Sequence, residues 1–357
     1  MTAAALLLVL LPLQRTDGDP VRTAPLPPGP GNPRNSGGDL LALQDGLVLL
    51  VYTRYSGREV EGAVPELAAR FSGDGGRTWT PKDVPVVGAE ADRSAGAPSL
   101  VRMRDGTIGL FHLQGSSREG NFLVLRRSAD EARTWGASVF VTAEPGGYTV
   151  AADRVVRLRG GRLIVPVVRH AVAGADRDER GTVVFFVSDD DGVSWRRTAA
   201  QLRGPVAGGL REPLVVELKD ARLLVLAATG AGVLYGARSS DGGETWSEPE
   251  PAGVPAAGRG LAAGRIPGTG DLLLVRALPS RGEGQQAPVL AASLSRDEGR
   301  TWSHGKALEE DPSLAVGDIA LEFLDGRILA VYGAGEFRSG VLTHTRVAVF
   351  DVAWIYR

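Results

Sequence analysis

Ser72-Gly73-Asp74-Gly75-Gly76-Arg77-Thr78-Trp79 is one complete copy of a short pattern, Ser-x-Asp-x-Gly-x-Thr-Trp, that recurs along this 357-residue chain. Residues 239–246 and 295–302 are complete copies, with Asp241 and Asp297. Residues 128–135 carry Asp130 and Thr134 but have Ala132 at the glycine position, and residues 188–195 carry Asp190 and Gly192 with Ser194 in place of threonine. Five of the six tryptophans therefore close the same motif, at steps of 56, 60, 51 and 56 residues. A fixed period of this length marks a solenoid, a propeller or an array. The residue types suit a tight turn between two strands. The aspartate carboxylate accepts hydrogen bonds from backbone N–H groups of its own loop. The glycine supplies a positive φ, and the tryptophan brings a large apolar surface to pack between repeats. On this chemistry the aspartates are structural staples.

A second repeat runs out of phase with the first. Residues 39–54, 98–113, 153–168, 212–228, 265–276 and 318–333 are each β-rich runs around a turn. The turns are Asp45-Gly46, Asp105-Gly106, Gly160-Gly161, Asp220-Ala221, Gly268-Thr269-Gly270-Asp271 and Asp325-Gly326. Asp-Gly between alternating apolar runs is a strong hairpin signal. Six hairpins, each joined to the strands that flank a motif, make six four-stranded units, which predicts an all-β six-bladed β-propeller. The last unit has no motif. Residues 346–356, with the sixth tryptophan, Trp354, are expected to form its outer strand, and the two chain ends to share this blade and close the ring.

An unbroken repeat argues for one domain over residues 32–357, because a blade cannot bury its faces alone. Residues 1–31 read as a signal-like apolar run (2–13) followed by a Pro/Gly-rich lead-in. This favours export or a periplasmic location, with a cytoplasmic one as the alternative. The run is too short to span a bilayer, and no membrane span is expected. A net charge of −2 leaves no basic footprint for nucleic acid. Cysteine is absent and the four histidines show no ligand spacing, so neither a metal site nor a cofactor is expected. Arginine makes up 37 of the 40 basic residues, so any single arginine is weak evidence of a site. A monomer that binds a glycan or small sugar is expected.

Repeated aspartate boxes on a six-bladed propeller resemble the non-viral sialidases, the exo-α-sialidase family also called bacterial neuraminidase repeat proteins. That resemblance implies a site in which three arginines clamp the substrate carboxylate, a task suited to the guanidinium fork. It also implies a tyrosine nucleophile assisted by a glutamate, and an aspartate as acid/base. Arg34, just ahead of the first hairpin, resembles the first clamp arginine, and Arg54 ends the second strand of that hairpin, where the family places another. Glu212, opening the fourth hairpin in Leu210-Arg211-Glu212-Pro213, resembles the glutamate that assists the tyrosine, with Arg211 as an adjacent carboxylate partner. The acid/base aspartate has no counterpart between Arg54 and the first box, where Glu59, Glu61 and Glu66 stand; Glu61 and Glu66 are the candidate substitutes.

The second clamp arginine is not found at residues 226–229, nor the third at 285–288, nor the tyrosine at 314–319. The resemblance thus implies an exo-glycosidase with an altered site and substrate. The alternative is a non-catalytic propeller that binds a glycan or a protein through the same face. Asp153-Arg154, with Tyr148, leads into the third hairpin toward the channel mouth, and Asp92-Arg93 precedes the second in the same way. His170 follows the third hairpin. With Glu212 these carboxylates suffice for a different glycosidase-like site, its acid and base unassigned.

Overall fold

The computed structural model describes residues 19–88, 94–116, 120–170, 181–204, 209–257, 259–278 and 289–357. Residues 2–13, 92–93 and 285–288, on which the export, Asp92-Arg93 and third-arginine readings rest, lie outside them. Six antiparallel sheets follow one another along the chain. Blade 1 runs outward through Arg34–Ala42, Val48–Ser56, Val64–Ser72 and Val84–Val87. Blades 2, 4 and 5 repeat that order, with inner strands Ser94–Arg102, Leu210–Glu217 and Leu261–Arg265. In blade 3 the inner edge is split into Gly147–Thr149 and Val156–Arg157, both paired with Leu163–His170. Blade 6 starts from the inner strand Leu314–Leu324.

Ring closure differs in detail from the expectation. Blade 6 does hold both chain ends, but its outer strand is Val21–Leu26, paired with His344–Asp351 in the order of Val21 against Val349. Residues 346–351 belong to the third strand, and Val352–Tyr356 is a short helix. The lead-in thus contributes a strand to the propeller ahead of residue 32. The strand from the other end of the chain covers the edge of His344–Asp351 and so joins the last blade to the first part of the chain. Trp354 in the helix packs beside Phe350 and under the Lys306 ammonium of blade 5, 4.4 Å from the ring. It fills the gap between blades that a box tryptophan fills elsewhere.

The core is six apolar clusters, one between each pair of neighbouring blades. Leu49, Val51 and Leu67 of blade 1 meet Leu100, Ile108 and Leu110 of blade 2. Leu40, Leu50 and Tyr52 of blade 1 meet Leu329, Val331 and Val349 of blade 6. Box tryptophans complete these layers by packing onto the preceding blade: Trp246 stacks on Phe185 at 4.6 Å, and Trp195 meets Phe111 edge-on at 5.6 Å.

The boxes are the predicted turns. Asp74 Oδ1 accepts the Thr78 N–H at 2.8 Å and Oδ2 accepts the Thr78 hydroxyl at 2.7 Å, while Ser72 Oγ accepts the Gly76 N–H at 2.8 Å. The same bonds recur around Asp130, Asp190, Asp241 and Asp297. All five carboxyls are held down at about 2 by these donors. Ala132 takes the left-handed backbone, φ 65°, that glycine adopts in the other boxes. The residue after the box aspartate docks on the preceding blade's hairpin: Glu131 accepts the Gln44 N–H, Asp191 the Arg104 N–H and Glu298 the Lys219 N–H.

Candidate site at the channel mouth

The inner strands bring the site together through one repeated irregularity. Their pairing slips at Asn35/Gly38, Gly96/Ser99, Arg211/Leu214 and Gly317/Ala320. In blade 3 the strand breaks at the same place. The residues at these points include Ala97, Asp153, Glu212 and Asp318, with φ of 55°, 55°, 48° and 50°, and Gly260 holds the corresponding place in blade 5 with φ 76°. A bulge re-aims a side chain out of the pleat, and a left-handed φ at a non-glycine residue is uncommon and concentrates at functional sites. Here these irregularities turn Asp153, Glu212 and Asp318 toward the channel, where all three charges act on Arg154 and that of Asp318 acts on Glu212.

Beneath the mouth the channel is plugged by charge that staples blades together. Arg154 is buried, and its guanidinium donates to the carbonyls of Ala152, Asp153 and, across in blade 5, Leu261. Asp153 accepts the Leu321 N–H of blade 6 at 3.2 Å. Asp39 is buried in blade 1 and accepts the N–H groups of Leu40 and, in blade 2, Leu100. Glu322 of blade 6 accepts the Ala42 N–H at 2.9 Å, and Glu212 accepts the Gly260 N–H at 2.9 Å. Burial pushes up the carboxyls of Asp39 and Asp153 and raises Glu322 to about 7. Glu212 is likewise raised to about 7, first by burial and then by the negative charge of Asp318.

These shifts set the pH dependence of folding. Between the ordinary glutamate value and about 7 the folded protein holds more protons than the unfolded chain at Glu212 and Glu322, so stability falls as pH rises through that window. The box aspartates act oppositely: their contribution is present above the ordinary aspartate value and is lost as pH falls toward about 2. Thermal unfolding is therefore expected to show its highest midpoint near pH 4–5. Glu322→Gln should flatten the decline toward pH 7 in calorimetric scans; an unchanged slope would remove Glu322 from this account.

Over the mouth lies a cavity of about 270 Å³ walled by blades 1 to 3 and by Asp318 of blade 6. Thr53, Tyr55, Ser94 and Asn121 give it neutral hydrogen-bonding groups. The volume is at the small end for ligand sites and suits a single sugar ring. Gly37 forms part of the wall because nothing larger fits: a Cβ there would lie 2.2 Å from the Asp318 Cβ and 2.4 Å from its carbonyl oxygen. Gly37→Ala is expected to separate blades 1 and 6 at the mouth and to cost about 1–3 kcal/mol in urea unfolding. A neutral result there would mean that the two blades move apart freely.

The residues singled out from sequence divide between this site and its surroundings. Glu212, Asp153 and Arg154 come together in the channel. Arg34 lies beside the cavity, its guanidinium 4.1 Å from the centre of the cavity-lining Tyr55 ring. Arg54 does not join them. Thr53 and Tyr55 face the cavity, so strand alternation turns Arg54 to the other side, where it meets Glu66 at 2.9 Å and Asp83 at 3.6 Å. Glu66 is held there by Arg54 and by the Ser56 hydroxyl. Glu61 stands exposed in the turn beyond that hairpin, and Arg211 is exposed on the inner strand of blade 4. Tyr148 packs edge-on to Phe186, while its backbone is paired with the Asn121 side chain. Asp318, Tyr55, Asn121 and the buried Asp39 and Glu322 were not picked out from sequence. Aligning the six hairpins on their first residues would have matched Asp318 to Asp153 and Glu212. Among the described residues there is no group of three potential metal ligands, and no helix is long and apolar enough to cross a membrane.

Comparison with known proteins gives consistent results. Residues 61–338 match the family of BNR repeat-like domains. The chain is 30% identical over 361 aligned positions to a sialidase of Micromonospora viridifaciens, covering 89% of this chain and 50% of that protein. It is 28% identical over 213 positions to an anhydrosialidase of Macrobdella decora, covering 55% of this chain and 26% of that one. The chain thus spans half or less of the length of these curated relatives. Among solved structures, the leech intramolecular trans-sialidase complexed with 2,7-anhydro-Neu5Ac superimposes with a TM-score of 0.73 at 17% identity, over 96% of this chain and 71% of that one. A protein of unknown function from Dyadobacter fermentans superimposes with a TM-score of 0.71 at 17% identity, over 93% and 99%. Structures this distant in sequence show a common propeller fold.

Proposed function

We propose, from the premise that this chain belongs to the family of BNR repeat-like domains, that it acts on glycans as a sialidase-family, exo-glycosidase-type protein whose site is the channel mouth. The observation that carries this reading is Glu212. A bulge in the inner strand of blade 4 turns its carboxyl into the channel beneath the mouth, the Gly260 N–H donates to it, and burial raises it to about 7. Glycoside cleavage needs such an acid, because the departing sugar oxygen must receive a proton. The adjoining small cavity, with Tyr55 and Asn121 in its walls, supports an exo-type action in which one terminal sugar is enclosed.

A panel of fluorogenic glycosides, sialosides included, tests the proposal by turnover and by saturable binding. Tyr55→Ala, which removes a cavity wall, is expected to weaken binding of the preferred glycoside at least tenfold. A wild-type protein that neither cleaves nor binds any member would end the proposal. Saturable binding without cleavage would instead favour the glycan-binding propeller.

A further inference from the structure

We propose that Asn35 is a positioning residue that couples closure of the propeller ring to sugar binding. The docked N-terminal strand Val21–Leu26 sets one wall of the cavity, and a sugar in the cavity in turn holds the strand. The inference rests on the reading of this cavity as a glycan site and adds a regulatory connection to it.

Asn35 stands where three parts of the fold meet. It is buried at the slip in the inner strand of blade 1, next to the cavity-lining Ser36 and Gly37. Its Nδ2 donates to the carbonyl of Leu26, at the end of the closing strand, at 3.1 Å. Its Oδ1 accepts from the Asn32 side-chain amide at 3.0 Å, in the turn that leads in from that strand. Its backbone N–H donates to the Thr343 carbonyl of blade 6 at 2.9 Å. Asparagine suits this place because one short side chain carries both a donor and an acceptor.

A second contact runs beside the first. Thr345 of blade 6 is buried and is paired with Leu26 across the ladder. Its hydroxyl donates to the Ser36 carbonyl at 2.8 Å. The closing strand thus reaches the cavity wall by two routes, through Asn35 and through Thr345. The wall transmits what it receives, because Gly37 lies so close to Asp318 that a Cβ would find no space between them. A shift of residues 35–37 therefore alters the cavity at the junction of blades 1 and 6.

The strand is built to respond. It is six residues long, forms the outer edge of its blade, and its pairing slips between Thr23 and Leu26. Leu26 anchors it in the apolar layer between blades 1 and 6, and the Arg22 guanidinium donates to the Leu308 carbonyl of blade 5. Short outer elements near a chain end open locally at a lower free energy than the core strands they cover. Strand and cavity joined by these contacts share a coupling free energy, and the coupling is reciprocal. The factor by which the docked strand strengthens sugar binding is the factor by which bound sugar strengthens docking.

The test reads strand and wall together in the full chain. Asn35→Asp keeps the shape of the side chain but sets an acceptor against the Leu26 carbonyl. It is expected to speed amide hydrogen exchange at least tenfold in residues 21–26 and in residues 36–38, with Leu223–Thr229 of blade 4 unchanged. Thr345→Val keeps the ladder and removes the hydroxyl, so it should speed exchange several-fold in residues 36–38 and leave 21–26 as they were. The ligand arm uses the methyl glycoside of the sugar preferred in the fluorogenic panel. At saturation it should slow trypsin cleavage after Arg22 at least fivefold in the wild type, and Asn35→Asp should bind it at least fivefold more weakly. Exchange that rises in 21–26 but not in 36–38 of Asn35→Asp overturns the inference, and so does a uniform rise that includes blade 4. Cleavage after Arg22 that the bound glycoside fails to slow also overturns it. The glycan reading survives each of these results. Failure of every sugar in the panel to bind ends that reading and the coupling with it.

Discussion

Arg154→Met is expected to cost about 3–5 kcal/mol in urea unfolding at pH 7, the range seen when one partner of a buried charged cluster is removed. The guanidinium is fully enclosed and bonds the carbonyls of Ala152, Asp153 and Leu261. It also offsets the charges of Glu212, Asp153, Asp318 and Asp39. Methionine fills the volume but leaves the carbonyls unpaired and the carboxylates without a counter-charge. The variant also carries its own internal check. Without the cation the carboxyls hold their protons more strongly still, so the penalty should be greater at pH 8 than at pH 5, where the group is nearer neutral. Arg154→Lys should recover part of the loss, since a point charge remains but the three-carbonyl reach does not. A pH-independent penalty would show that packing alone is at stake.

Glu212→Gln is expected to lower kcat on the preferred glycoside by about 10²–10⁴-fold, the usual contribution of a positioned general acid. The amide oxygen can still accept the Gly260 N–H, so the fold should be retained and the loss assigned to the missing proton. The wild-type rate should fall as pH rises through about 7, where Glu212 ionises. That alkaline limb should vanish in the variant, and substrates with better leaving groups should suffer less. Equal activity in the two proteins would remove Glu212 from the chemistry.

The site was legible only in part from the sequence. Glu212 and Asp153-Arg154 stand at hairpin starts, and the repeat places every hairpin start at the channel. Arg54 closes the first hairpin and Glu66 lies on the strand after it, and both face away from the cavity. The side on which a strand residue falls depends on the register of its sheet, and one position reverses it. Asp39 and Glu322 were hidden for another reason. Each is a charged residue within an apolar strand whose partner is the backbone of a neighbouring blade; Asp39 also opens the first hairpin, but its position does not tell which blade it bonds. Val21–Leu26 escaped notice because its pairing partner lies more than three hundred residues away.

What the sequence determined by itself is the blade and its number. The box bonds run between residues two to four apart and the hairpin turns close between residues four or five apart, so local chemistry writes them five and six times over. What only the tertiary structure decided is the site. The channel is enclosed by all six inner strands at once, so its charges interact through space that no blade contains. The raised carboxyl of Glu212, the wall that Asp318 supplies to a cavity of three other blades, and the sealing of Arg154 all arise from closing the ring.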